Sequence, residues 1–166
     1  MIRVIRSPAD LDEGAAHLAR VCPVWARVLP QLGPLPLRRW DEGFASLRDA
    51  VVSQQISTHA ASAIVARMVA AGLSDEAGIA SASDEDLRAT GLSRSKIRYL
   101  RGIAEAGLDW PGLRNLSDED AIAALTALSG IGRWTAEIYL KFALGRADVF
   151  AAGDLALAEA ARLLYD

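Results

Sequence analysis

A capping residue, a short apolar stripe and a glycine stop recur along this chain at intervals that suit only small helices. Ser7-Pro8 pairs a cap with a proline fit for a first helical turn, and DLDEGAAHLARVC follows it. PVWARVLPQL is stopped by Gly33 and Pro34, and LGPLPLRR reads as an extended connector. GFASLRDAVVSQQ places Phe44, Leu47, Val51 and Val52 on one side. Ser57 or Thr58 caps HAASAIVARMVAA, which ends at Gly72. Ser74 and Ser83 each precede acids, which a helix dipole favours in a first turn, and Gly91 ends the second of these segments. Ser93 opens RSKIRYLRGIAEA, with Ile97, Leu100, Ile103 and Ala104 as its stripe, and Ser117 opens DEDAIAALTAL. Gly130 ends that helix, Gly132 begins RWTAEIYLKFAL, Gly145 closes it, and Asp154 opens LALAEAARLLY. About ten short helices and no strand follow, so the expected fold class is all-α.

Composition sets limits on function. The 166 residues are 52% apolar, mostly Ala and Leu, enough for a real core and for one compact unit or two small lobes. Net charge is −3, which argues against non-specific coating of nucleic acid by a basic surface. A local basic run does exist: Arg88, Arg94, Lys96, Arg98 and Arg101, with no acid among them. Taken alone it reads first as a solvated helix face. Cys22 is the single cysteine, expected to be a small buried residue, so neither a disulfide nor a four-cysteine iron–sulfur cluster can form within the chain. His17 and His59 stand alone, without ligand spacing, as helix-surface residues. No secretory signal or membrane-length apolar run is present, and an intracellular compartment is the default expectation.

The segment LSGIGRWTAEIYLKFALGRADVFAAGD, Leu128 to Asp154, carries the chemistry. Gly130 supplies positive φ at little cost and lets a phosphate approach the backbone. Gly132 stands at a helix start, where unpaired N–H groups and the dipole favour an anion. Ile131 between them can anchor the turn. Such a grip needs little side-chain charge, which reconciles nucleic-acid binding with an acidic chain. An ordinary helix–turn–helix connection is the plainer alternative.

These residues, LSGIGRWTAEIYLKFALG followed by DVF and Asp154, resemble the helix-hairpin-helix DNA glycosylases with a Gly/Pro-rich loop and an aspartate, and within them the 3-methyladenine DNA glycosylase II branch. VVSQQIS (Val51–Ser57) is similar to that branch's Gln-rich loop, and GLSRSKIRYLRGIA (Gly91–Ala104) to its basic helix, so the likeness runs from about Phe44 onward. The resemblance implies two helical lobes around a cleft. One is a six-helix barrel-like unit over 41–147. The other is discontinuous, built from 1–40 and from the catalytic-aspartate loop and helix of 148–166. It also implies further helices after the aspartate helix, which a chain ending at Asp166 is expected to lack.

The implied activity is excision of alkylated purines from damaged double-stranded DNA in base excision repair, by hydrolysis of the N-glycosidic bond. Asp154 falls on the catalytic position, where a carboxylate stabilises the oxocarbenium-like sugar or orients water. A plain N-cap is its other reading, and the two roles can coexist. Trp134 stands where bifunctional relatives carry a lysine, so no amine is available for Schiff-base chemistry and no strand nicking is expected. Its indole can face a cationic base, with Ile138 beside it in the base pocket, or it can serve the core. Base flipping leaves a gap in the duplex. Gln55 falls where the family inserts a wedge, with Gln54 and Ile56 as neighbouring contacts. Alternatively the two glutamines bridge helices. Ser129, Gly130, Gly132, Arg133 and Thr135 fall on the phosphate-binding positions. The carbonyls of Thr126, Leu128 and Ile131 match a monovalent-cation site. No cofactor is required.

Some positions depart from the family pattern. Ala151 replaces a common proline, Gly153 a second acid, and Ile138 an aromatic. The alternatives to a glycosylase are a non-catalytic helix-hairpin-helix DNA-binding domain, a truncated inactive glycosylase, and a helical scaffold for proteins alone.

Overall fold

The computed structural model describes residues 2–165, and among them it is all-helical. Ten α-helices follow in order: α1 Pro8–Val21, α2 Pro23–Leu32, α3 Phe44–Ser53, α4 Thr58–Ala70, α5 Glu76–Ser81, α6 Asp84–Ala89, α7 Arg94–Glu105, α8 Asp118–Thr126, α9 Arg133–Phe142 and α10 Leu155–Tyr165. A single 3-10 turn, Gly112–Asn115, leads into α8. Extended pairing is limited to one antiparallel bridge between Val4 and Arg146.

The helices begin where side chains take up the unpaired N–H groups of a first turn. Ser57, Ser83, Ser93 and Ser117 accept from the N–H of Ala60, Asp86, Lys96 and Asp120. At α5 the cap is Asp75, which accepts from Gly78 at 2.7 Å, and not the Ser74 that the sequence pattern favours. The helix therefore starts one residue later than the pattern suggests. The span 41–147 holds seven α-helices where the resemblance implies six, because α5 and α6 are six-residue helices with separate caps.

The core is built by α3 to α9. Leu47, Val51, Met68, Ile79, Leu100, Ile103, Leu125, Tyr139 and Leu140 are fully buried within one apolar cluster. Helix α7 supplies Ile97, Leu100 and Ile103 to it, the stripe read from the sequence. In contrast, no residue of α1, α2 or α10 is buried. Helices α1 and α2 pack on each other. Cys22 is not the buried apolar residue expected. It is the partly exposed cap residue joining α1 to α2, with its Sγ 3.6 Å from the Tyr165 hydroxyl at the end of α10.

The N-terminal segment is tied to the end of α9 by main-chain bonds. Ile5 N–H donates to Gly145 O (2.8 Å), Ala147 N–H to Arg3 O (3.1 Å) and Trp40 N–H to Phe142 O (2.9 Å). Arg39 adds bonds to the carbonyls of Ile5 and Ala143. Arg146 is 2% exposed. Its Nη2 donates to the carbonyls of Leu113, Arg114 and Leu116, and Nη1 lies 3.3 Å from Asp118 Oδ1. A buried guanidinium without such partners would be strongly destabilising. No helix among the described residues is long and apolar enough to cross a membrane.

Leu100→Ala, at a fully buried position of the central helix, is expected to cost about 2–5 kcal/mol of stability, read from urea unfolding.

Candidate nucleic-acid site

A cleft of about 1080 Å³ opens between α3 and α9. Trp134, Ile138 and Phe142 line it from α9, four residues apart and so on one helical face. Ser46, Asp49, Ala50 and Ser53 line the α3 side with the same logic, opposite the face that buries Phe44, Leu47 and Val51. Trp40, from the proline-rich connector, packs against Phe142 with ring centroids 5.1 Å apart. Gln54, Gln55, Gly132 and Asp154 stand around the same space. The fold therefore brings the wedge, pocket, hairpin and carboxylate positions read from the sequence to one cleft.

Asp154 is a cap as well as a cleft residue. Its Oδ1 accepts the N–H of Ala156 (2.8 Å) and Leu157 (3.3 Å) at the start of α10. Its Oδ2 accepts the indole N–H of Trp134 at 3.2 Å. These bonds favour the ionised form. The Trp134 bond, then that of Leu157, holds the carboxyl below its usual value, while burial acts the other way. Trp134 is 43% exposed, so it is a wall of the cleft and not a core residue. Ile138 is half-buried beside it.

The turn after α3 carries the glutamines. Gln54 bridges elements: its Nε2 donates to Gly130 O at 3.1 Å. Gln55 has φ +59, the only positive φ at a non-glycine among the described residues, and its side chain is exposed toward the cleft. Ile56 is 38% exposed at the rim.

The hairpin residues divide by what they touch. Gly130 has φ +86, and a Cβ there would collide with the Tyr99 ring. The positive φ is the one read from the sequence, and internal packing against Tyr99 is a second reason for glycine that the sequence did not show. Gly132 is different: an added Cβ would meet nothing within 4 Å, and no side chain caps the helix there. The N–H groups of Arg133, Trp134 and Thr135 begin α9 and have no partner within the helix. Ser129 is exposed and Ile131 is buried as the anchor expected. The Thr135 side chain is buried, so a phosphate contact at this position falls to its main chain.

Arg133 is not a free phosphate ligand. It bonds Glu119 with both terminal nitrogens (2.8 and 3.1 Å) and Glu137 with Nε (2.9 Å). Both carboxylates, Glu119 first, raise its pKa further above the usual arginine value. The basic run is divided: Arg88, Arg94 and Arg98 are exposed, and Lys96 and Arg101 are partly buried. Arg101 bonds Asp84 and the carbonyls of Ile79, Ala80 and Ala82, while Arg98 lies over the Tyr99 ring at 5.4 Å. Lys96 Nζ donates to the carbonyls of Val52 and Gln54. Phe142, Trp40 and Tyr99 were missed by the sequence reading, which named Lys96 only within the basic run. Phe142 follows Trp134 and Ile138 at helical spacing and could have been found. Trp40 sits in a connector without periodicity and could not. Leu128 O accepts Ile131 N–H at 3.1 Å inside the hairpin. Among the described residues no group of three or more His, Cys, Asp and Glu could hold a metal ion.

Comparison with known proteins gives a consistent picture. Residues 49–166 match the family model "HhH-GPD superfamily base excision DNA repair protein". The chain is 35% identical over 170 residues to DNA-3-methyladenine glycosylase 1 of Schizosaccharomyces pombe, a match covering 94% of this chain and 74% of the relative. Among solved structures, it is similar to the Bacillus halodurans DNA-3-methyladenine glycosidase, with TM-score 0.80, 34% identity, and coverage of 99% of this chain and 77% of that one. It is also similar to a Schizosaccharomyces pombe 3-methyladenine DNA glycosylase solved in complex with abasic DNA, with TM-score 0.79, 35% identity, and coverage of 92% and 80%.

Two measurements follow from the geometry. Gly130→Ala is expected to cost more than about 1 kcal/mol in urea unfolding, from positive φ and the Tyr99 contact, whereas Gly132→Ala stays within about 1 kcal/mol. Trp134→Phe removes the leading cause of the low Asp154 pKa, so carboxyl NMR should show Asp154 titrating at higher pH than in the wild type.

Proposed function

The chain belongs to the HhH-GPD superfamily of base excision DNA repair proteins, and from that premise we propose that it is a monofunctional DNA glycosylase excising alkylated purines of the 3-methyladenine type from duplex DNA. The observation that carries this reading is the Asp154 carboxylate, held by the Trp134 indole at an aromatic-lined cleft large enough for a flipped nucleotide. The names of the two solved relatives, one of them bound to abasic DNA, support the substrate and the product.

The chemistry follows from what the cleft contains. An alkylated purine is cationic, and indole faces attract it. When the bond from C1′ to the base nitrogen breaks, its electron pair leaves with the base and neutralises the base's charge, so no general acid is needed. The positive charge passes to the sugar, and Asp154 lies ready to stabilise it. Three hydrogen bonds make Asp154 a weak base but a fixed anion. That favours electrostatic stabilisation over proton abstraction. Water then bonds to C1′ and loses its proton to the solvent that fills the open cleft, leaving an abasic site and the neutral base. Trp134 offers no amine at the position where a lysine would form a Schiff base, so the strand stays intact.

Phosphates are gripped by the N–H groups of Gly132, Arg133, Trp134 and Thr135 at the start of α9, beside exposed Ser129. Gln55 fills the gap left by the extruded nucleotide, with Ile56 and Gln54 flanking it. The carbonyls of Thr126, Leu128 and Ile131 at the end of α8 and in the hairpin are neutral oxygen donors. That set fits a monovalent cation, which would add positive field toward a phosphate. No other cofactor enters the proposal.

Asp154→Asn tests it, because Asn is an equally good cap and leaves α10 in place. Release of 3-methyladenine from methylated duplex is expected to fall at least about a hundredfold while duplex affinity is kept. Unchanged release would remove Asp154 from catalysis, and duplex binding by a wild type that releases no base would mark a DNA-binding domain without activity. Nicked product from wild type, beyond that of heated abasic DNA, would contradict the monofunctional assignment.

A further inference from the structure

Helix α7 stands behind both loops that face the cleft. Lys96 and Tyr99 lie three residues apart on it and so share a face. The Lys96 ammonium donates to Val52 O at 2.6 Å and Gln54 O at 2.9 Å, and the Tyr99 ring packs where a Gly130 side chain would be. Gln54 closes the arrangement by donating from its side chain to Gly130 O at 3.1 Å.

The bond to Gln54 O has a specific mechanical meaning. That oxygen belongs to the peptide plane joining Gln54 to Gln55, so fixing its direction fixes the N–H of Gln55 on the opposite side of the plane. Gln55 then sits at φ +59, a region that a glutamine rarely adopts unaided. The end of α3 also leaves carbonyls without helical partners, and a cation is the group best suited to them. Burial lowers the Lys96 pKa, which accords with an ammonium turned inward and not out toward solvent.

We propose that Lys96 is a positioning residue for base extrusion: by clamping the carbonyls of Val52 and Gln54 it presets Gln55 as a wedge. With Tyr99 it makes the glutamine turn and the glycine hairpin one rigid unit. The proposal rests on the glycosylase reading above. A hairpin seated on a phosphate then fixes where the wedge enters the duplex, because both loops are bolted to the same helix. Lys96 acts through Gln54 and Gln55 and touches no DNA in this role.

The test uses the full chain and a duplex with a tetrahydrofuran abasic analogue beside 2-aminopurine, whose fluorescence rises when it is unstacked. Lys96→Met is expected to lower that rise and the single-turnover rate of 3-methyladenine release together, by about ten- to a hundredfold for the rate. Affinity for an undamaged duplex should stay within about twofold, since phosphate contacts at the hairpin carry it. Lys96→Arg, which keeps a cationic donor at the two carbonyls, should recover most of both signals. If Lys96→Met does not fold by circular dichroism, Lys96→Gln takes its place with the same expectations. Wild-type unstacking in the variant, or a parallel loss of undamaged-duplex affinity, would overturn the role of Lys96. A wild type that neither unstacks the reporter nor releases base would overturn the glycosylase reading, and this proposal with it.

Discussion

Helix ends leave backbone groups without partners, and the functional side of this molecule is assembled from such ends. The cleft is bounded by the C-terminus of α3, the N-terminus of α9 and the N-terminus of α10. Each end is completed differently. Lys96 serves the carbonyls of α3, Asp154 serves the N–H groups of α10, and the start of α9 has no side-chain cap. The uncapped end is the one to which the proposed function gives a phosphate. Short helices make this possible, because a chain of long ones would bring fewer termini to one place.

The core and the site divide the chain between them. Helices α3 to α9 bury the apolar cluster, and the other faces of α3 and α9 line the cleft. The face of α3 that meets the cleft carries Ser46, Asp49 and Ser53, while its opposite face buries Phe44, Leu47, Val51 and Val52 together with the Arg48 guanidinium. On α9 the division is less clean. Buried Tyr139 and Leu140 lie next to cleft-facing Ile138, and buried Glu137 is paired with Arg133. Asp154 therefore reports on both jobs at once, holding α10 while facing the space where a nucleotide would sit.

Much of the fold was legible because caps and glycine stops act locally. Ser57, Ser83, Ser93 and Ser117 cap where the pattern puts them, and the α7 stripe is buried as read. Ser74 against Asp75 differed by one residue because either side chain could cap and only the geometry chooses. The site was legible where one motif carries it, from Gly130 to Asp154. What stayed hidden depends on contacts distant in sequence. Arg133 looks like a phosphate ligand until Glu119, fourteen residues earlier, is found against it. Gly130 looks like room for a phosphate until Tyr99 is found beneath it. Cys22 looked apolar because its role at the junction of two helices is set by where α1 stops.

The neutralised Arg133 has a thermodynamic consequence. Cations that contact phosphates displace condensed counterions, and the entropy of that release makes binding weaken steeply as salt rises. Here the arginine nearest the hairpin is already balanced by two carboxylates, and the donors at the start of α9 are peptide N–H groups. Contacts of this kind displace few ions from the atmosphere of a duplex. Any steep salt dependence of DNA binding then has to come from exposed cations away from the hairpin, among them Arg94 and Arg98.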